Sequence, residues 1–145
     1  MSFETRLLWL KSVGVLLVLI GAFFAWTTTG PLAGINVLFV DLAVFPVDGA
    51  QNYSATETRL LATIVGGLTA GIGTAIYLVA QHVYANDPVL GRKIILGFVS
   101  VWFVVDSIGS VISGAAFNVV LNTSLLLLML LPLVWAKQDS ANATG

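Results

Sequence analysis

Apolar residues along this chain come in long blocks rather than at alternate positions. Four stretches, about residues 7–27, 55–84, 92–113 and 117–136, are almost wholly apolar, and short groups of Gly, Pro, Asn, Asp and charged residues separate them. A helix needs about 20 such residues to cross the hydrocarbon layer, and a helix satisfies its own backbone there without help from a neighbouring strand. The chain is therefore predicted to be all-α, a four-transmembrane-helix up-down bundle forming one integral membrane domain. A long extracytoplasmic loop joins helices 1 and 2, and residues 137–145 form a polar tail.

Each block carries local signals. In the first, Trp9 and Trp26 stand 17 residues apart, ~25 Å along a helix, which suits an aromatic belt at each interface. The segment can also be outlined as a signal peptide, with Arg6 and Lys11 as its basic start and Ala22 to Ala25 near a cleavage site; we read it as a true helix. Between blocks one and two, Gly30-Pro31 breaks the helix. The apolar run from Leu32 to Phe45, interrupted by Asn36 and Asp41, is too short to cross and reads as an interfacial or re-entrant piece. Ser54-Ala-Thr-Glu57 has the form of a capping box opening the second helix. Gly66, Gly67, Ala70 and Gly71 give that helix a small-residue face, including a GxxxG at Gly67 and Gly71, against which another backbone can pack closely. Asn86-Asp87-Pro88 closes helix two, and Gly91-Arg92-Lys93 opens helix three.

Composition narrows the class. Apolar residues make up 58% of 145 and charged residues 9%, against about 25% charged in soluble domains. The net charge of −1, without basic clusters, gives no reason to expect nucleic acid. The absence of cysteine excludes disulfides and thiolate chemistry. With the N-terminus inside, Arg6, Lys11, Arg92, Lys93 and Lys137 face the cytoplasm and only Arg59 lies outside. This bias predicts a bacterial inner-membrane protein with both termini cytoplasmic.

The third block carries Asp106 well inside its length, with Ser110 and Ser113 on the same helical face. An ionised carboxylate at that depth costs roughly 2.5–3.5 kcal/mol on insertion scales, so a neighbouring segment must satisfy it. Arg59 in the first turn of helix two and Asn118 and Asn122, four apart on helix four, lie at comparable depth. The expected polar cluster, which is also a possible ligand site, is Arg59, Asp106, Ser110, Asn118 and Asn122. The outer loop either caps this cluster, with Asp41 competing for Arg59, or lies flat on the lipid. His82, at the cytoplasmic end of helix two, is a conceivable haem or chlorophyll ligand, but a lone interfacial His reads first as an amphipathic anchor. No metal site and no particular cofactor is implied.

The Glu57-Thr-Arg59 entry into a Gly66-Gly67 span, followed by a polar face in the third, resembles small uncharacterised bacterial four-helix integral membrane proteins. That resemblance implies the fold and no particular activity or site. Small multidrug transporters rely on a carboxylate in the first span, where this chain has none after Glu4. No nucleophile–base pair or pair of carboxylates converges, so the expected function is non-catalytic. One reading is a self-associating or accessory subunit of a larger respiratory, photosynthetic or transport complex, with membrane lipid as its surroundings. The other is a small carrier or binder of a small molecule, lipid or ion that uses Asp106 and Arg59.

Overall fold

The apolar blocks fold as helices throughout, but into one more helix than the four predicted. The computed structural model describes residues 1–134, and no strand occurs among them. In order come α1 (Phe3–Trp26), α2 (Ala33–Val44), α3 (Thr56–Leu78), α4 (Pro88–Ile112) and α5 (Asn118–Val134), and a π-helical turn (Val79–Tyr84) prolongs α3. The predicted end of the fourth span at 136, Lys137 and the polar tail 137–145 lie outside the described residues. Three elements are long and apolar enough to cross a membrane: α1, α3 with its π turn, and α4. The helices α2 and α5 are shorter. The predicted long loop between the first two spans is thus built largely around a 12-residue helix, α2.

Local chemistry moves two of the expected boundaries. The Asp87 carboxylate accepts hydrogen bonds from the backbone N–H groups of Val89 (3.1 Å) and Leu90 (2.9 Å), with Pro88 as the first helical residue. The Asp-Pro pair therefore starts α4 a turn ahead of Arg92, because proline at that position forgoes only a donor that would be unpaired anyway. The capping box at Ser54 does not form. The cap residue of α3 is Ala55, with no side-chain cap, because the Ser54 hydroxyl is turned to Asn52 Oδ1 within a local turn.

Helices α1 and α3 run antiparallel at backbone contact. Gly14 lies against Gly73, and Gly21 against Gly66. A Cβ on Gly66 would sit 2.5 Å from the Gly21 carbonyl oxygen, and one on Gly73 would sit 2.5 Å from that of Gly14. The seven-residue spacing keeps each pair on one helix face, drifting only ~20° per heptad. Gly66 and Ala70 are on this face as expected, whereas the predicted contacts Gly67 and Gly71 are not: both face open space. At 3.6 residues per turn, Gly67 is rotated about 100° from Gly66, and Gly71 about 140°.

The buried core occupies one end of the bundle. Leu10, Val13 and Leu17 of α1 meet Ile76, Ile95, Val99, Met129 and Leu133 there. At the same end, Phe3 stacks on Tyr84 with ring centroids 5.7 Å apart. Gly91 lies flat against the Tyr84 backbone, where a Cβ would come within 2.5 Å of Tyr84 Cα. Trp9 is not a free interfacial anchor. Its indole N–H donates to the Leu128 carbonyl at 3.0 Å. Pro132, four residues beyond Leu128 and inside α5, has no N–H to offer that carbonyl, so α1 supplies the donor that α5 lacks.

This packing has two measurable consequences. Gly66→Ala should lower stability in detergent by about 1–3 kcal/mol through overpacking. Gly67→Ala, one residue away, should leave it unchanged or raise it by up to ~1 kcal/mol through reduced backbone entropy. Thermal or denaturant unfolding of the purified variants reads both. Trp9→Phe should cost about 0.6–1.7 kcal/mol, the range of interhelical hydrogen bonds in membranes. In a Pro132→Ala background it should cost close to nothing, because the introduced alanine restores the intrahelical donor; a double-mutant cycle measures the coupling.

Candidate functional site

The opposite half of the molecule is hollow. Helix α3 stays with α1, and α4 packs on α5 and on the π turn rather than along α3. The space left over is a cavity of about 870 Å³ with walls from all five helices. Ile20, Phe23 and Phe24 come from α1, and Leu61 and Val65 from α3. Trp102 and Asp106 come from α4, and Leu121 and Asn122 from α5, while α2 contributes Phe39 and Val40. Several wall residues, including Leu61 and Val65, are largely exposed, so the cavity is open at its flank.

Its polar end is built by the α4–α5 turn. Gly114 has φ of +81°, a left-handed conformation open to glycine. With it, the Ala115 N–H reaches the Ser110 carbonyl (2.8 Å) and the Gly114 N–H reaches that of Val111 (3.1 Å), the paired bonds of a Schellman termination. This tight reversal sets α5 beside the end of α4. The Asn118 amide donates to Ser110 Oγ at 2.9 Å and to Asp106 Oδ2 at 3.3 Å, and the Asn122 amide donates to the same Oδ2. Four of the five residues expected to cluster, Asp106, Ser110, Asn118 and Asn122, are thus in contact.

Arg59 is not among them. Its guanidinium donates to the carbonyls of Tyr53 (2.7 Å) and Ser54 (2.8 Å) and to Thr56 Oγ1 (2.9 Å). Carbonyls of the segment entering α3 are within local reach, whereas Asp106 stands across the cavity. Asp41 does not compete for Arg59 either: its Oδ2 accepts the Gly49 N–H at 2.9 Å. His82 is exposed on the π turn.

A second polar group, which the pattern of apolar blocks did not foretell, holds α2 in place. Asn36 is fully buried. Its amide donates to the Phe24 carbonyl (3.1 Å) and Thr27 Oγ1 (3.3 Å), and its Oδ1 accepts the Tyr53 hydroxyl (3.4 Å). Phe24 belongs to the last turn of α1, whose carbonyls have no intrahelical donor, so Asn36 ties α2 to the α1 terminus. Burial pushes the Tyr53 phenol above its ordinary pKa. The signal for this cluster was Asn36 itself, one amide in an otherwise apolar run. The aromatic wall had no comparable signal, because Phe23, Phe24, Phe39 and Trp102 read equally well as lipid-facing.

Asp106→Leu should lower stability by about 1–3 kcal/mol, since it strands two amide donors beside the cavity. Asp106→Asn should stay close to the wild type, because the new carboxamide oxygen still accepts from Asn122. Melting temperatures of the two variants side by side check the contrast.

Comparison with known proteins leaves this geometry to speak for itself: no protein family, curated protein or solved structure matches the chain.

Proposed function

We propose that this chain is a four-span integral membrane protein that binds a small apolar or amphipathic molecule between its helices. The cavity carries the proposal. Its volume of about 870 Å³ falls within the ~300–1,000 Å³ usual for small-molecule sites, and its apolar wall with a few convergent polar groups has their usual composition. Here α5 serves as the fourth crossing. It runs antiparallel to α4, from the Asp106 level back to Trp9, and its 17 described residues extend ~26 Å. Helix α2 lies over the cavity as a half-depth element. Among the described residues, Arg6, Lys11, Arg92 and Lys93 fall at the end where Phe3 meets Tyr84, and Arg59 at the other. The proposed orientation in a bacterial inner membrane therefore places the core end and the N-terminus in the cytoplasm. The exposed aliphatic residues Val104, Val105, Ile108 and Val111 on α4 then face acyl chains. Nothing in the polar cluster pairs a nucleophile with a base, so binding or carriage is favoured over catalysis.

A second reading, a self-associating or accessory subunit, draws on one observation. Gly67 and Gly71 form an outward, unoccupied GxxxG face on α3, to which a second helix could dock without disturbing the cavity.

Native mass spectrometry of the chain released from phosphatidylethanolamine–phosphatidylglycerol nanodiscs tests the cavity reading. A one-to-one adduct of a small amphiphile is expected on the wild type and should be absent from Val65→Trp, which fills the space from an exposed wall position. An adduct retained equally by Val65→Trp, with circular dichroism unchanged, would reject the reading.

A further inference from the structure

We propose that the occupant of the cavity is an amphipathic organic cation, its charged head set against the free oxygen of Asp106 and its apolar body among the aromatic walls. The proposal rests on the cavity reading above and gives it a ligand class. Among the described residues Asp106 is the one charged side chain on the wall, and none of the wall residues is Lys, Arg or His. The nearest sequence candidate for a counter-charge, Arg59, spends its donors on Tyr53, Ser54 and Thr56. Both asparagine amides converge on Oδ2 of Asp106, so Oδ1 remains without a hydrogen-bond partner among the described residues. One oxygen is thus held by the protein and the other is left for a ligand.

The rest of the wall suits a cation as well. Phe23, Phe24, Phe39, Tyr53 and Trp102 all line the cavity. Ring faces attract a cation through their quadrupoles, more strongly where water is excluded. Among the described residues Tyr53 is the other ionisable group on the wall, and its phenol, already protonated at neutral pH, is pushed further from ionisation by burial. An anion of the same size would meet an unpaired carboxylate oxygen with no cationic side chain among the described wall residues to offset it, so the site should discriminate by the sign of charge as well as by shape.

Tetraphenylphosphonium and tetraphenylborate are matched in size and opposite in charge. Equilibrium dialysis of each against the full chain in an uncharged maltoside detergent, with a protein-free micelle blank subtracted, isolates the electrostatic part. The phosphonium should bind more tightly. The phosphonium-to-borate affinity ratio should fall about tenfold in Asp106→Asn, the scale of one screened charge–charge attraction, and recover in Asp106→Glu. Phe39→Leu, which leaves the carboxylate network untouched, should weaken the phosphonium several-fold and the borate less. Equal affinities for the two probes, both abolished by Val65→Trp, would overturn the cation proposal while leaving the cavity reading intact. A ratio unchanged by both Asp106→Asn and Phe39→Leu would overturn it too. Probe binding that Val65→Trp does not alter would remove the cavity reading itself.

Discussion

The close approach of α1 and α3 governs the rest of the molecule. Between helices in lipid there is no hydrophobic drive, so association depends on how many atoms come into dispersion contact. Glycines at 14 and 21 facing glycines at 66 and 73 let two backbones touch from Gly14 to Ala25 on α1 and from Gly66 to Tyr77 on α3. That contact commits α3 to α1, and α3 therefore does not close against α4 or α5. The cavity is the geometric remainder of that commitment. At the core end the π turn and the Gly91–Tyr84 contact pull α4 inward and the bundle is solid. Toward the other end the helix pairs part, and the space between them stays open.

The same environment explains where the polar side chains are used. In the proposed lipid surroundings unpaired backbone groups are expensive, and two such carbonyls show how the described residues answer them. Pro132 frees the Leu128 carbonyl, and the end of α1 frees that of Phe24; Trp9 answers the first and Asn36 the second. Each repair comes from a different helix, so each also fixes one element against another. Trp9 sets the level of α5 on α1, and Asn36 sets α2 over the α1 terminus. The few polar residues inside this bundle thus do positional work that their number alone would not suggest.

How much of this was legible in the sequence depends on how far apart the interacting residues lie. Long apolar runs announced helices, since length and composition are properties of one segment. The Asp106, Asn118 and Asn122 contact was legible because a short link forces the ends of adjacent helices together. The glycine face was half legible. Small residues on α3 signalled close packing, but choosing 66 and 73 over 67 and 71 requires the partner helix, whose Gly14 and Gly21 share the seven-residue spacing. Depth along the helices predicts Arg59 beside Asp106, but the carbonyls of Tyr53 and Ser54 lie within its own local reach and take its donors. The length of the Leu32–Phe45 run predicts an interfacial or re-entrant piece, whereas the role of α2 as a cavity wall rests on Asn36 and Tyr53 meeting across 17 residues of chain.

A hollow in a membrane bundle would ordinarily close by a small tilt of one helix, so its persistence needs a mechanical reason. Three braces provide it. Helix α3 is held from outside by α1, and α5 is held by the Gly114 turn and the Asp106–asparagine bonds. Helix α2 spans the gap: Phe39 packs on Phe24 at 4.7 Å, and Phe45 stacks on Phe117 at 5.3 Å. The middle of α2 is thereby tied to α1 and its C-terminal end to the start of α5. To collapse, the cavity would have to give up these ring contacts or the backbone contact along α1 and α3. A site built this way keeps its shape before anything enters it, and the ordering cost of binding falls on the ligand rather than on the helices.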